Sequence, residues 1–261
     1  MSVWDTYRAR LDIQGNTKRE AAFRRETRML NSRLPDSLSY HTAIIFDPEH
    51  GFNITSEEMA GAAIEQNVAI INSDNLNEKY IYSMPGEDIQ NGSLVHWMDN
   101  YWLVTERDAN TTVYTRAKLL QCNYLLRWVS DEDLICEQWC VVEDGTKYLT
   151  GEYEDRNFVV VRGDSRIAVT IARTKETVKL ERTNRFLIDD PEASTLLAYT
   201  LSKPLKLGGV FNNQGVYKFV LQEVNSTVDD NHELRIADYY KHFPRDISGD
   251  NSSNPEREVW L

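Results

Sequence analysis

The chain lacks the features that mark several large classes of protein. Its 12 glycines form neither the glycine-rich loop of a nucleotide-binding site nor the Gly-x-Ser-x-Gly turn of a serine hydrolase. Its five histidines do not have the spacing of a zinc site. No apolar run approaches the roughly 20 residues that cross a bilayer, and the first residues do not resemble a secretory signal. We therefore expect a protein without a membrane partner that stays in, or is assembled in, the cytoplasm.

Cysteine is also scarce, with only Cys122, Cys136 and Cys140 in the chain. An odd number does not suit a disulfide framework. Cys136 and Cys140 are four residues apart in strand-like sequence, which would separate their sulfurs by about 13 Å. We interpret all three as buried apolar residues in a reducing compartment. No catalytic, cofactor-binding or metal-binding residue is predicted, and no cofactor.

Carboxylates are abundant, and several are adjacent in sequence. Each group lies beside a turn signal or between apolar runs, where Asp is favoured for its hydrogen bonds to the backbone. We predict that the protein is not an enzyme, and a hydrolase acting through one acidic pair is the alternative from another class. The groups are Asp131/Glu132/Asp133, Glu143/Asp144, Asp189/Asp190 and Asp229/Asp230.

The net charge of −12 is distributed unevenly along the chain. Residues 1–40 hold eight Lys/Arg against five Asp/Glu, a net charge of +3, which leaves 21 against 36, or −15, for the remainder. An acidic body argues against binding nucleic acid through its phosphates, although it suits a surface that DNA passes without sticking. The basic N-terminal segment is interpreted as a separate unit with its own partner.

The N-terminal segment reads as two helices. Gly15 ends the first, the capping box Thr17-x-x-Glu20 opens the second, and Pro35 ends it. A third short helix is predicted at 55–66. The apolar faces are too narrow for helices that stand alone, so we expect the arm to pack on something else, such as another subunit. The apolar stripe of the second helix is predicted to contain Phe23, Leu30 and Leu34.

From Lys79 onward the composition favours strands, with frequent turn signals and no alternation of strands with helices. The predicted fold is mainly β, with one or two small antiparallel β-barrel or sandwich domains and a helical N-terminal arm.

Two segments, 78–108 and 165–190, share an order of strand, turn and strand, and a long strand follows each. Either a small barrel is duplicated, or any two meander domains look this similar. The predicted domains are a basic helical arm (1–45), a first β-barrel domain (46–129), a second β-rich domain (130–245) and a polar C-terminal tail (246–261).

The stretch "LLQCNYLLRW", residues 119–128, alternates as a half-buried strand does. We predict one strand of about 15 residues, some 50 Å long, that starts at Tyr114 and bridges two barrels. Asn123 and Arg127 are expected to make contacts at a domain or subunit junction. The apolar face contains Leu120, Cys122, Tyr124, Leu126 and Trp128.

Several segments taken together are similar to those of a known group of proteins. They include "NGSLVHWMDNYWLVTERD" (91–108), "YTRAKLLQCNYLLRW" (114–128), "RIAVTIARTKETVKLERTNRFLIDD" (166–190) and "GVYKFVLQEVNSTVDDN" (215–231). Over about residues 15–240 the chain resembles structural proteins encoded among the head genes of tailed bacteriophages. Within that group it is most similar to head-closure or head–tail connector proteins of the neck.

The resemblance implies a homo-oligomeric ring, six or twelve copies being usual, that closes the DNA-filled head. Its partners would be a portal or adaptor protein on one side and a tail protein on the other. DNA would pass through an acidic channel without sequence-specific binding. The expected location is the virion neck, after assembly in the host cytoplasm. A tail-completion or baseplate adaptor is the alternative.

Two Gly/Asn-rich stretches, 85–92 and 205–215, are candidate mobile loops, and plain hairpin connections are the other interpretation of each.

Overall fold

The computed structural model describes residues 3–15, 17–48, 63–108, 113–144, 166–190, 193, 196–206 and 209–244. Two helices come first, α1 (Val3–Gln14) and α2 (Lys18–Arg33), followed by a 3-10 turn at Leu34–Asp36. Two short helices lie later in the chain, α3 (Lys175–Lys179) and α4 (Tyr239–His242).

Six strands form a closed antiparallel barrel in the order β1-β2-β3-β6-β5-β4. Alternate side chains of each strand point inward, as the two-residue period requires. Ile89, from the connection between β3 and β4, is fully buried in the same core. The strands are β1 (Tyr40–Phe46), β2 (Ala63–Asn72), β3 (Glu78–Ser83), β4 (Leu94–Trp97), β5 (Asn100–Asp108) and β6 (Arg116–Gln121).

The remaining strands form a second antiparallel sheet in the order β10-β11-β13-β9-β8-β7, with β12 paired to β13. Its core includes Trp128, Phe186 and Phe219. The mainly β fold with two barrel-like sheets is therefore confirmed. The strands are β7 (Tyr124–Val129), β8 (Ile135–Asp144), β9 (Arg166–Ala172), β10 (Arg185–Ile188), β11 (Leu197–Leu205), β12 (Val210–Phe211) and β13 (Gln214–Val224).

The two sheets share one strand order. When the two-residue β12 is set aside, β7-β8-β9-β13-β11-β10 repeats the sequence of pairings in β1-β2-β3-β6-β5-β4. The segments that looked alike in sequence occupy matching positions, since β3 corresponds to β9, β4 to β10 and β6 to β13. This favours the duplication of a small barrel over a general likeness between meander domains.

The sheets differ at one seam. In the barrel, β1 pairs with β4 through Ile44–Phe46, but no backbone ladder joins β7 to β10. Side chains bridge this seam instead: the Tyr124 hydroxyl donates to the Leu187 carbonyl at 3.0 Å, and the Trp128 and Phe186 rings meet edge to face.

A segment that follows β13, residues 225–238, lies against the same seam, and we call it the clasp. Arg127 of β7 donates to the Leu234 carbonyl. Arg185 of β10 binds both Asp230 and Asp238, at 2.9 and 2.8 Å. Side chains from both edges of the seam thus hold the clasp in place.

The single strand predicted to start at Tyr114 is wrong. The chain forms two strands, β6 in the barrel and β7 in the second sheet, which Cys122 and Asn123 separate. The buried positions change phase there, from odd numbers such as Leu119 to even numbers such as Tyr124. A change of phase turns the inward face of the strand toward a different core.

The strand pairing also moves the predicted domain boundaries. β1, assigned in part to the arm, is a barrel strand, and β7, assigned to the first domain, belongs to the second sheet. The helix predicted at 55–66 lies mostly outside the described residues, and its last four positions, 63–66, begin β2. The tail at 246–261 also lies outside the described residues.

Candidate assembly surface

Helix α2 begins where its capping residues predict. The Thr17 hydroxyl accepts a hydrogen bond from the Glu20 N–H at 3.1 Å, which satisfies one of the unpaired donors of the first turn. Before it, Gly15 is buried with φ +95°, and a side chain there would lie 2.9 Å from the Ala21 nitrogen. Glycine is therefore required for the tight turn that sets α1 against α2.

One side of α2 is half-buried. The half-buried positions recur every three or four residues along the helix, and Leu30 and Leu34 are among them, as predicted. Phe23 was also predicted on this side, but it is 42% exposed. The half-buried positions are Glu20, Ala21, Arg24, Thr27, Leu30 and Leu34.

The opposite side of α2 forms an exposed row that we call the outer stripe. Its members follow the spacing i, i+4, i+7, i+11, i+15, so they lie along one face of the helix. The stripe combines three cations with a methionine that is 45% exposed, and it has no acidic member. The residues of the outer stripe are Lys18, Ala22, Arg25, Met29 and Arg33.

Helix α1 is more exposed still. Every side chain from Val3 to Arg10 is exposed. Trp4 is 72% exposed and Tyr7 is 54% exposed, with their rings in edge-to-face contact. Exposed apolar side chains that lie next to one another are typical of an interaction surface.

A second exposed surface is the outer wall of β1 and β2, on which Glu65 is the one carboxylate among the described strand residues. Ile44 on β1 and Glu65 on β2 are directly opposite each other in the ladder, and both are exposed. Ile71, further along β2, is 44% exposed. We call Ile44, Glu65 and Ile71 the β1–β2 wall.

The two candidate mobile loops meet each other at the junction between the sheets. The Gln214 side chain donates to the Gln90 side chain at 2.8 Å. Gly92 lies so close to Gly215 that a side chain on Gly92 would come within 2.4 Å of the Gly215 carbonyl. The described part of 205–215 includes the β12–β13 hairpin, whereas 85–92 crosses from β3 to β4. Nothing in the sequence linked the two stretches.

Apolar packing extends the same junction. Leu94 and Leu103 of the barrel pack with Val141 and Val216 of the second sheet. The rings of Tyr101 and Trp139 stack with centroids 4.7 Å apart. We call this group, together with Cys122 and Ala172, the junction core.

Asn123 is a contact residue at the domain junction, as predicted. Its side chain accepts from the Val142 N–H and donates to the Val142 carbonyl, both at 2.8 Å. It thereby supplies a strand-like pair of hydrogen bonds where β6 gives way to β7. Arg127 instead pairs with Glu137 at 2.8 Å within the second sheet and contacts the clasp.

The three cysteines are all buried and free. Burial raises the pKa of the Cys136 thiol to about 11, and it also raises the pKa of the Cys122 and Cys140 thiols. A nucleophilic cysteine needs the thiolate, which these surroundings disfavour.

The acidic groups have separate structural partners. Asp230 pairs with Arg185, Glu132 with Lys179, and Asp133 with His242. Asp189 accepts a hydrogen bond from the Asp190 N–H of its own turn. The Asp144 side chain lies outside the described residues.

Among the residues that the structure describes, no group of three or more His, Cys, Asp or Glu is arranged to hold a metal ion. Within the same residues, no helix has both the length and the apolar character to cross a membrane.

Comparisons with known proteins found no matching family model, no matching curated protein and no matching solved structure.

Proposed function

We propose that the protein is a structural subunit of the neck of a tailed bacteriophage, of the head-closure or head–tail connector type. Copies would form a closed ring between a portal or adaptor protein and a tail protein. The single observation that carries the proposal is the helical arm, whose aromatic side chains Trp4 and Tyr7 are 72% and 54% exposed and present apolar surface of the kind that a neighbouring subunit covers. The resemblance of residues 15–240 to neck proteins supplies the location.

The body of the subunit suits such a role. Two sheets joined by the junction core give a scaffold on which an arm can be held at a fixed place. Closed rings are built from heterologous contacts, in which one surface of each copy meets a different surface of the next. An exposed arm and a separate wall provide two different surfaces.

Charge supports the second part of the proposal, that DNA passes the ring without sticking. Residues 41–261 carry a net charge of −15, which repels phosphates and opposes the counterion release that drives DNA binding. The protein should therefore bind duplex DNA weakly at physiological salt.

Imaging of a virion that contains this protein tests the proposed function. We expect a ring of six or twelve copies at the head–tail vertex, and a variant that lacks residues 1–36 should be absent from particles. A control with a body substitution such as Asp229→Asn should still be incorporated. Density at the distal end of the tail would favour the tail-completion or baseplate role. Absence of the wild-type protein from the particle would contradict both roles, and incorporation of the variant that lacks residues 1–36 at the wild-type level would contradict the part proposed for the arm.

A further inference from the structure

The turn between β4 and β5 holds an apolar residue in a backbone conformation that disfavours it. Trp97 pairs with Asn100 in the ladder, which leaves a two-residue turn of Met98 and Asp99. Both have positive φ, +48° and +58°, the combination of a type I′ turn, in which Asn, Asp and Gly are favoured. A residue with a long side chain raises the energy of such a turn. The Met98 side chain is also 64% exposed.

The β12–β13 hairpin shows which residues this kind of turn ordinarily contains. Phe211 pairs with Gln214, and the two residues between them, Asn212 and Asn213, have φ of +52° and +63°. Met98 is the one apolar side chain among the described residues, other than glycine, that have positive φ. The other members of that set are Asp99, Asp133, Thr183, Asn212, Asn213, Arg235 and Asp238.

The β4–β5 turn is braced from both sides. The Asn100 side chain donates to the Met98 carbonyl at 2.7 Å, and the Gln121 side chain donates to the Asn100 side-chain oxygen at 3.1 Å. Trp97 packs against the barrel core, and its ring lies 6.2 Å from that of Trp102. A side chain presented on a support of this kind loses less conformational freedom when it binds.

Both features of Met98 reduce the stability of the isolated subunit, because the backbone is strained and an apolar side chain faces water. Strained residues of this sort cluster at sites of binding and catalysis. Methionine is flexible and polarizable, and it is common at surfaces that bind other proteins. We propose that the β4–β5 turn inserts Met98 into an apolar pocket of a neighbouring protein in the particle. The inference rests on the proposed function in one respect, since it places that partner in the particle.

Thermal unfolding of the isolated full chain tests the strain. Met98→Asn should raise the melting temperature by about 2–4 °C, because Asn suits the turn and no apolar side chain is left in water. Asp99→Asn is the matched control, and it should change the melting temperature less, since Asp already tolerates positive φ. A melting temperature that Met98→Asn leaves unchanged or lowers would overturn the inference.

Oxidation by hydrogen peroxide, followed by mass spectrometry, tests the contact. Met98 should be oxidised readily in the isolated chain, because exposure governs this reaction. In the intact particle its oxidation should be slower by about tenfold or more, once apolar side chains of the partner surround the sulfur. Free methionine added to both samples normalises the peroxide dose.

Competition for incorporation completes the test. When wild-type protein and a variant are produced together, Met98→Asn should enter particles about tenfold less often, although the variant is the more stable protein. Met98→Leu keeps an apolar side chain at the tip and should be incorporated nearly as often as the wild type. Equal incorporation of Met98→Asn would overturn the insertion.

The outcomes separate this inference from the proposed function. Particles that contain the protein, with Met98 oxidised as fast as in the isolated chain, overturn the insertion and leave the neck role in place. Binding of the isolated chain to phosphatidylglycerol vesicles that Met98→Asn abolishes would place the tip in a membrane, and it also overturns a protein partner. Absence of the protein from particles contradicts the neck role and the place given to the partner.

Discussion

At the scale of single residues, Arg185 has the largest number of side-chain hydrogen bonds in the clasp region. Its two terminal nitrogens donate to Thr227, Asp230, Asp238 and the Asn225 carbonyl. The Asp230 side chain is fully buried and also accepts from the Thr227 and Asp238 N–H groups. Burial alone would raise the pKa of Asp230, but these donors and the Arg185 charge outweigh it, so the pKa is lowered. The clasp thus depends on one ionised carboxylate.

Asp230→Asn should lower the free energy of unfolding at pH 7 by about 1.5–3 kcal/mol, because the ion pair with Arg185 is replaced by weaker hydrogen bonds while Asp238 still pairs with Arg185. Since the pKa of Asp230 is lower in the folded state, its contribution is present above the unfolded value of about 3.9 and is lost as the pH falls through the folded value. The difference between the two proteins should therefore shrink in acid. Urea unfolding between pH 7 and pH 2 measures it.

Asp229→Asn is the matched control, since it changes the neighbouring carboxylate and leaves the pair of Arg185 with Asp230 intact. It should unfold at nearly the wild-type urea concentration. A stability difference for Asp230→Asn that stays constant down to pH 2 would show that the carboxylate charge is not what holds the clasp.

The thiols give a second prediction at this scale. Cys122, Cys136 and Cys140 should react slowly with a thiol reagent in the folded protein at pH 8, because all three are buried and burial raises the pKa of each. All three should react at once in urea. Rapid labelling of one cysteine in the native protein would contradict the burial of that residue.

At the scale of elements, the connections between strands make tertiary contacts that the strand pairing does not account for. The β3–β4 connection inserts Ile89 into the barrel core and then brings Gly92 against Gly215 of the second sheet. Gly92 has φ +87°, which a side chain disfavours, and no space for a Cβ. A connection that looks like a mobile loop in sequence is in fact part of a junction.

Gly92→Ala should destabilise the protein more than Gly86→Ala. Both glycines have positive φ, +87° and +93°, so both substitutions carry a backbone cost of about 1–2 kcal/mol. Only Gly92 adds a clash with Gly215, whereas Gly86 has nothing within 4 Å of the added Cβ. Thermal unfolding of the two variants gives the difference. Equal melting temperatures would mean that the close approach at the junction does not contribute to stability.

At the scale of the whole molecule, the junction core couples the two sheets. Leu94, Leu103, Val141 and Val216 are buried where the sheets meet, and Asn123 continues the hydrogen bonding between β6 and β7. Neither sheet can unfold without exposing part of this core. We therefore expect the two sheets to unfold as one cooperative unit.

Calorimetry should show a single unfolding transition whose calorimetric and van't Hoff enthalpies agree. Replacing the stacked Trp139 by Ala removes apolar contact at the junction and should separate or broaden the transition. Two resolved transitions in the wild-type protein would contradict coupling through the junction core.

The sequence by itself determined the two N-terminal helices, the strand-rich character of the body and the distribution of charge. The Thr17 capping box, the strand period after Lys79 and the basic arm all depend on residues close together in the chain. Local signals of this kind are complete within a few residues, so they can be read without the fold. The likeness between 78–108 and 165–190 likewise anticipated matching strands.

Only the tertiary structure decided which strands share a sheet and which surfaces remain exposed. Within "LLQCNYLLRW" the apolar alternation continues. At Cys122 and Asn123, however, the chain leaves the barrel and enters the second sheet. The break depends on hydrogen bonds to Val142, which is 19 residues away. The approach of Gly92 to Gly215, and of Arg185 to Asp230, likewise joins distant parts of the chain. Such contacts are set by how the sheets close, and this is why the junction, the clasp and the outer stripe could be recognised only in the folded molecule.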